Sequence, residues 1–356
     1  MFTIGFILLL NPLARHFGWV DKPDNIRKRH GSVIPLTGGM AMLLGCVATL
    51  SWIDGCFGSC VHSRVLGAMS IMALVGLWDD RFNLSPRFRI LLQTGVGYLL
   101  ALVAGLSMDN FGNILGFGDV VLPHFLGIIF TVFCVVGAMN AMNMIDGVDG
   151  LAGGVTLVAL LWMLLLTNLQ VMPETNMLLA LAGCVFAYLI FNLRHPWRKK
   201  AAIFMGDAGS MMIGTALVWL IISLSQKTLP GTDITVLPPV IGLWLVAIPL
   251  LDTLSVMFKR RRNGQSPFKA DRSHLHHILQ DAGLSDRATT WFVILLAAVL
   301  GGVAIGGWKL GLPEPVLFFA FLSMAAAYYY FIHHTDKLAG FICSLRRKPL
   351  ICETKG

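Results

Sequence analysis

The chain has 356 residues, of which 56% are hydrophobic and 13% are charged, and its formal net charge at pH 7 is +8. Its mean hydropathy of +0.73 lies far from that of a soluble domain, so the composition indicates an integral membrane protein. The basic residues are spread over loops between apolar runs, with no separate polar module to hold a duplex. This distribution argues against a nucleic-acid-binding protein.

Long apolar runs recur along the whole chain. Each is close to the ~20 residues that a helix needs to cross the hydrocarbon, whereas a strand barrel would show shorter, alternating segments. The sequence therefore predicts an all-α, polytopic membrane bundle of eleven transmembrane helices, forming one domain over residues 1–356. The predicted spans lie at about 1–16, 37–55, 63–78, 88–106, 124–142, 150–168, 175–193, 207–225, 236–257, 290–308 and 312–332.

The loops between these spans differ in charge from one side to the other. If they alternate, 24 of the 27 Lys and Arg residues fall on one side, and only Arg64, Lys227 and Lys309 fall on the other. Basic loops of membrane proteins face the cytoplasm. We therefore expect an N-terminus outside, a C-terminus in the cytoplasm, and a basic cytoplasmic face suited to anionic lipids and phosphorylated substrates.

Polar residues are concentrated in the stretch Asn140–Leu151, which follows the fifth predicted span. Asn140, Asn143, Asp146 and Asp149 succeed one another at three-residue spacing, which in a helix places them near one face. Each Asp is followed by Gly, which frees the backbone. The simpler alternative is a polar turn between two membrane helices, but such a turn requires neither the two Asn residues nor the repeated Asp-Gly.

Three further acids lie on the same predicted side. Asp79 and Asp80 end the third span, and Asp207 begins the eighth. The alternative for the pair is a helix end stabilised by the arginines that follow it, and for Asp207 it is a helix cap. Together with Asp146 and Asp149, however, these acids favour a site for a divalent cation and a polyphosphate. Oxygen ligands suit Mg²⁺ or Mn²⁺ rather than zinc.

The longest predicted cytoplasmic loop carries His274, His276 and His277 shortly after Arg272. Imidazoles bind metals and also donate hydrogen bonds to phosphates and sugars, so substrate contact, metal ligation and a solvated loop all stay open. Asp252 lies inside the ninth predicted span. An acid at that depth is either functional or paired with a polar group of a neighbouring helix.

Four motifs occur in an order and spacing that resemble the polyprenyl-phosphate N-acetylhexosamine-1-phosphate transferases. They are Asp79–Asp80, Asn140–Leu151, Phe204–Ser210 and Arg272–His277. The resemblance implies transfer of GlcNAc-1-phosphate from UDP-GlcNAc to undecaprenyl phosphate, giving undecaprenyl-diphosphate-GlcNAc and UMP. This would be the first membrane step of O-antigen or enterobacterial common antigen synthesis, at the cytoplasmic face of a bacterial inner membrane. It also implies Mg²⁺ as cofactor, with Mn²⁺ as the alternative, and leaves a homodimer open.

The resemblance assigns roles to most of these polar residues. Asp207 and Asn143 would bind the metal, and Phe204 would stack on the uracil. Asp79 and Asp80 would deprotonate or position the lipid phosphate. One departure is Asn83, where the family often has an acid, so no role is given to a third carboxylate there. The predicted site residues are catalytic Asp79, Asp80, Asp146 and Asp149; substrate-binding Asn140, Asn192, Phe204, Arg272, His274, His276 and His277; and metal-binding Asn143 and Asp207.

Two classes of alternative remain. Within the enzymes, a sibling could use UDP-MurNAc-pentapeptide or start teichoic-acid synthesis, although the histidine segment resembles the GlcNAc branch. Outside them, a transporter would line a midplane pathway with acids and often carries inverted repeats. The chain has no such repeat, and its acids gather at one predicted face with Asp252 as the main exception, so the enzyme is favoured.

Overall fold

The structure is a computed structural model of the chain, and it describes residues 1–21, 33–54, 60–170, 172–196, 198–229, 231, 234–266 and 273–334. Within these residues it contains thirteen helices and one antiparallel pair of two-residue strands. The strands are β1 (Val20–Asp21) and β2 (Ile34–Pro35). The helices are α1 (Phe2–Phe17), α2 (Gly38–Asp54), α3 (Cys60–Phe82), α4 (Pro86–Leu102), α5 (His124–Ile145), α6 (Leu151–Thr167), α7 (Pro173–Asn192), α8 (Gly206–Ser225), α9 (Pro239–Leu245), α10 (Ala247–Arg262), α11 (Leu275–Asp281), α12 (Asp286–Lys309) and α13 (Glu314–His333).

Several of these helices are suited to a bilayer. Five of them, α5, α7, α8, α12 and α13, are long and apolar enough to cross a membrane, and α9 with α10 makes a sixth if the bent pair is one span. The shorter helices α1, α2 and α6 are also apolar. The prediction of an all-α membrane protein is therefore confirmed. Every predicted span contains a helix, whereas the number of spans and the side of each terminus stay predictions.

The ninth predicted span, residues 236–257, is not one continuous helix. Its two parts, α9 and α10, meet at Val246 and differ in direction by 75°. Pro249 follows the break, and a proline cannot donate the N–H that would continue α9, although it fits the first turn of a new helix. The bend places Asp252 in a second, separate helix.

Helix α8 is the centre of the bundle. It is buried along most of its length and packs against α2, α3 and α5. Helices α2 and α3 approach α8 closely because their glycines face it. A Cβ on Gly76 of α3 would overlap the backbone of Ala208, and a Cβ on Gly39 of α2 would overlap Gly209. Small residues allow membrane helices to pack at backbone distance. As a result, α2 and α3 both meet the first turn of α8, which carries Asp207.

The strand pair extends the structure at the same end of α8. The backbone N–H of Phe204 donates to the Pro35 carbonyl, and Gly38 donates to the Phe204 carbonyl, both at 2.9 Å. The segment before α2 therefore lies beside the segment before α8. Strands of two residues leave no alternating pattern, so neither the strand pair nor the seven-residue helix α11 has a sequence signal of its own.

Candidate active site

The N-terminus of α8 is capped by an acid from another helix. Asp80, near the end of α3, accepts hydrogen bonds from the backbone N–H groups of Asp207 at 3.0 Å and Ala208 at 3.5 Å. N–H groups in the first turn have no partner within their own helix, and a carboxylate there also interacts favourably with the helix dipole. The acid that caps α8 is therefore Asp80, rather than Asp207 as in the capping alternative.

The Asp207 side chain is bonded to α5 instead. The Asn143 amide nitrogen donates to Asp207 Oδ1 at 2.5 Å and to Ser210 Oγ at 3.1 Å. Close packing of Gly214 against the backbone of Met139 brings α5 and α8 together at this point. The two predicted metal ligands are thus adjacent, and this bond does not use the amide oxygen of Asn143.

Asp146 lies just beyond the end of α5, where other acids converge on it. Burial and, to a smaller extent, the charges of Asp207, Asp80 and Asp149 together raise the pKa of Asp146 to about 8. A carboxyl group perturbed in this way lies in a region of uncompensated negative charge. A cation bound among these acids would relieve their repulsion.

Asp79 and Asn140 belong to a chain of hydrogen bonds that joins three helices. The buried Asp79 carboxylate accepts from the Leu84 backbone N–H at 2.8 Å and from Arg89 Nη1 at 3.0 Å. Arg89 Nη2 lies 3.5 Å from Asn140 Oδ1, and Asn140 donates to Gln93 Oε1 at 2.6 Å. These bonds fix the end of α3 against α4 and α5. The predicted catalytic role of Asp79 and substrate-binding role of Asn140 stay predictions.

Asp149 is fixed by an arginine. Its Oδ2 atom accepts from Arg194 Nε at 2.6 Å and from the Ala201 backbone N–H at 3.3 Å. Arg194 Nη1 also pairs with Asp286 Oδ2 at 2.7 Å, and Thr290 Oγ1 donates to the Asp149 carbonyl at 2.9 Å. The turn between α5 and α6 is therefore attached both to the segment after α7 and to the start of α12.

The predicted nucleotide contacts lie beside the same turn. Asn192 is buried, with its Oδ1 accepting from the Gly150 backbone N–H at 2.6 Å and its Nδ2 donating to the Ile203 carbonyl at 2.8 Å. Gly150 has φ +79°, and a Cβ there would overlap Leu193, so glycine is required at this position. Phe204 is half-buried and directly follows Ile203. Asn192 thus joins the turn to the segment that presents Phe204.

The histidine segment reaches the acidic turn through one ring. His276 lies with its Nε2 against Gly147, where a Cβ would overlap it. The His276 ring stacks on His274, with centroids 5.8 Å apart and planes 7° apart. His274 Nδ1 is bonded to Asp252 Oδ2 at 2.8 Å. Asp252 therefore pairs with a polar group of a neighbouring segment, which was one of the two alternatives for it.

Three other positions considered in the sequence analysis are His277, Arg272 and Asn83. His277 packs at 4.2 Å between centroids on His276, and its Nδ1 lies 3.3 Å from Gln280 Oε1. Arg272 lies outside the described residues. Asn83 directly follows α3 and has φ +50°, a left-handed conformation that Asn tolerates better than most residues.

Three residues that hold this site were not identified from the sequence: Gln93, Arg194 and Tyr328. Arg89 was among the arginines that the alternative interpretation placed at the Asp79–Asp80 helix end, and it does pair with Asp79. Arg194 was counted only as a loop charge. Gln93 had a usable signal, because it is a polar residue inside a predicted span. Tyr328 donates to Asp252 at 2.8 Å, and nothing in its local sequence indicates that contact.

The donor atoms fit an oxygen-loving divalent cation. In the described part of the chain, no three His, Cys, Asp or Glu side chains converge closely enough to hold a metal by themselves. Mg²⁺ is usually held by one or two carboxylates, with water and substrate phosphates completing its shell. Asp207 beside Asn143, with the uncompensated charge around Asp146, matches that mode of binding.

Fold and site together define an all-α integral membrane protein with a group of acids at one end of its helices. The glycosyl transferase family 4 profile matches residues 63–225. The chain is 34% identical over 356 residues to the undecaprenyl-phosphate alpha-N-acetylglucosaminyl 1-phosphate transferase of Escherichia coli O157:H7, covering 98% of this chain and 93% of that protein. The protein of the same name from Haemophilus influenzae is 36% identical over 349 residues, covering 96% and 94%.

A third relative of that name, from Salmonella typhi, is 35% identical over 350 residues and covers 98% of this chain and 93% of its own. Identity at this level over nearly the full length of both chains shows that this chain and these relatives belong to one protein family. The chain therefore belongs to glycosyl transferase family 4. The family resemblance inferred from the four motifs is confirmed.

Proposed function

We propose that the protein transfers GlcNAc-1-phosphate from UDP-GlcNAc to undecaprenyl phosphate, giving undecaprenyl-diphosphate-GlcNAc and UMP. The observation that carries this proposal is the group of Asp80, Asp146 and Asp207 beside Asn143, with His276 against the same turn. One substrate is a membrane lipid and the other a soluble nucleotide, so the reaction requires a polar site at the membrane surface. Relatives that span nearly the whole chain are named for this activity.

The proposal includes an orientation. The site end would face the cytoplasm of a bacterial inner membrane, with eleven spans in one domain, the N-terminus in the periplasm and the C-terminus in the cytoplasm. The bias of Lys and Arg toward the loops at this end supports that orientation. The reaction would be the first membrane step of O-antigen or enterobacterial common antigen synthesis.

A divalent cation, Mg²⁺ or Mn²⁺, would be held by Asp207 and Asn143, and when bound it would neutralise charge on the diphosphate. The protein's own groups position that pair. Asp80 holds the first turn of α8, and therefore Asp207, through two backbone N–H groups. Asp79, paired with Arg89, fixes the end of α3 from which Asp80 extends.

The lipid phosphate needs little help with deprotonation. A phosphate monoester has a second pKa of about 6, so it is mostly dianionic at neutral pH. Asp79 and Asp80 would therefore act mainly by positioning. An oxygen of the lipid phosphate would attack the sugar-side phosphorus directly, forming one P–O bond as the diphosphate P–O bond to the departing UMP breaks. His276 would donate a hydrogen bond to the nucleotide-sugar, and Phe204 would contact the uracil.

The deepest acid does not support a transport pathway. Asp252 accepts hydrogen bonds from the Leu275 backbone N–H and the Tyr328 hydroxyl and is bonded to His274, each at 2.8 Å. An acid that releases a transported cation must exchange its partners. Three fixed bonds favour a structural or positioning role for Asp252.

The reaction is tested with the full-length protein in detergent, undecaprenyl phosphate, labelled UDP-GlcNAc and Mg²⁺. We expect labelled lipid and UMP in equal amounts, loss of both with EDTA, and recovery with Mg²⁺ or Mn²⁺. Product formed only from UDP-MurNAc-pentapeptide would show that the donor is a different nucleotide-sugar. With the protein in vesicles, uptake of label without UMP release would show that the protein is a transporter instead of an enzyme.

A further inference from the structure

A buried polar network holds the histidine segment from the side of α10 and α13. Asp252 is only 2% exposed and is bonded to three groups, each at 2.8 Å: the Leu275 backbone N–H, the Tyr328 hydroxyl and His274 Nδ1. These groups come from the start of α11, from α13 and from the residue before α11. One carboxylate therefore joins α10, α11 and α13.

The network also determines which nitrogen of His274 carries a proton. An ionised carboxylate only accepts hydrogen bonds, so Nδ1 must donate to Asp252. On the other side of the ring, Arg260 Nη2 lies 3.4 Å from Nε2. Because a guanidinium only donates, Nε2 must accept. These two contacts assign the donor role to Nδ1 of His274 and the acceptor role to Nε2.

This fixed ring is in contact with the proposed site. His276 stacks on His274 with nearly parallel planes, and its Nε2 lies against Gly147, between Asp146 and Asp149. A rotation of His274 would remove the surface on which His276 rests. The orientation of His276 toward the acidic turn consequently depends on groups that do not themselves lie in that turn.

We propose that Asp252 and Tyr328 are positioning residues for the nucleotide-sugar: they hold His274 in one tautomer and one orientation and thereby aim His276. The identity of the substrate rests on the proposed function, whereas the network itself does not. A purely structural role is the competing explanation. It is less economical, because a buried carboxylate carries a desolvation cost that an apolar side chain at the same junction would avoid.

Tyr328→Phe is the sharpest kinetic test, because it removes one hydroxyl donor and leaves the ring. We expect the KM for UDP-GlcNAc to rise about 3- to 10-fold, the scale of one lost hydrogen bond. The KM for undecaprenyl phosphate should stay unchanged, although loss of a buried hydrogen bond should lower the thermal midpoint. Tyr330→Phe is the matched control, since Tyr330 lies on the same helix and is 52% exposed. Equal behaviour of the two variants would overturn the proposal, as would parallel shifts in both KM values.

A second readout does not require turnover. In protein labelled with ¹⁵N-histidine, the His274 signal is assigned by its loss in His274→Gln. We expect a neutral ring protonated on Nδ1, and a changed tautomer or charge in Asp252→Asn, whose amide cannot accept all three bonds. A wild-type His274 that is charged or protonated on Nε2 would refute the network. Because the signal is independent of transfer, a correct tautomer in a protein without transferase activity would reject only the proposed reaction.

The spectroscopic test remains decisive even if one variant does not fold. If Asp252→Asn cannot be purified, the wild-type signal and Tyr328→Phe still decide the question, because both use folded protein. Asp119→Asn is the control for the charge change, since Asp119 is exposed and bonded to Asn110 at 2.8 Å in the loop before α5. It should leave the His274 signal and both KM values as in the wild type.

Discussion

The two ends of the helix bundle accommodate acids in different ways. At the end where α7 begins and α8 finishes, Glu174 is buried and accepts from Lys227 at 2.5 Å and from Ser223 at 2.6 Å. At the start of α5, Asp109 is bonded to His124 at 2.9 Å. Lys227 therefore neutralises the buried Glu174 locally, and the Asp109 carboxylate has an imidazole partner.

At the opposite end the basic partners are distributed unevenly. Among the described residues, the arginine ion pairs there go to Asp79, from Arg89, and to Asp149 and Asp286, from Arg194. Asp80 is instead bonded to backbone N–H groups, and Asp207 to a neutral amide. Negative charge consequently remains in the middle of this group, and the raised pKa of Asp146 is one result.

The comparison separates acids that stabilise the fold from acids available for chemistry. It also corrects one inference from the sequence, because Asp109, Glu174 and Glu314 lie at the other end and the acids do not all gather at one face. What distinguishes the site end is that Asp80, Asp146 and Asp207, which have no ion pair among the described residues, lie close enough for their charges to interact. A bound cation and phosphorylated substrates would complete the charge balance there.

Asp207→Asn should produce the largest effect. The substitution keeps the size of the side chain but removes a charge that would hold the cation, so kcat should fall on the order of 100-fold or more. Activity should recover in part at high Mg²⁺ in the transfer assay. Asp119→Asn, an isosteric change at the opposite end, should retain wild-type activity. Full activity of Asp207→Asn at low metal would reject the proposed ligand.

Arg194→Gln should have an intermediate effect. It removes the 2.6 Å bond to Asp149 and the 2.7 Å pair with Asp286, so the turn between α5 and α6 loses its charged attachment to α12 and keeps the Thr290 bond. We expect kcat/KM for UDP-GlcNAc to fall about 10-fold, the scale of one lost charge-assisted bond. The exposed Arg64, at the start of α3, provides the control Arg64→Gln. An unchanged kcat/KM in Arg194→Gln would show that this attachment is not needed for positioning.

Most of the fold could be predicted because the length of apolar runs is a local property. Each predicted span contains a helix, and the class of the protein follows from composition. The bend at Val246 could not be predicted from hydropathy, since apolar residues flank it on both sides. Helix α11 also escaped prediction, because a seven-residue helix bonded to Asp252 through its first N–H depends on a tertiary contact.

The sequence motifs predicted which of these polar residues lie together, but not how they are connected. The motifs identified Asp80, Asn143 and Asp207, and the structure places these three together. The sequence did not reveal that Asp80 rather than Asp207 caps α8, because that choice depends on how closely Gly76 allows α3 to approach. Partners more than forty residues apart, such as Asp149 and Arg194, are selected by packing.

Glu174→Gln should have the smallest effect on activity and a clear effect on stability. Gln keeps the shape of the side chain but loses the charge that pairs with Lys227, and it leaves a buried NH₂ group in place of Oε2, which has no hydrogen-bond partner among the described residues. We expect a loss of about 1–3 kcal/mol in the free energy of unfolding. The kcat of the folded fraction should match the wild type.

The assignment of that loss to the ion pair can be checked with Lys227→Met and the double variant. If the ion pair accounts for the lost stability, the sum of the losses in the two single variants should exceed the loss in the double variant. Each single variant leaves one charge without its partner, whereas the double variant leaves none. Reduced kcat in Glu174→Gln at unchanged stability would contradict the division between the two ends. It would mean that the charge of Glu174 is coupled through α7 and α8 to Asn192 and Asp207. The bundle would then not separate its stabilising acids from its reactive ones.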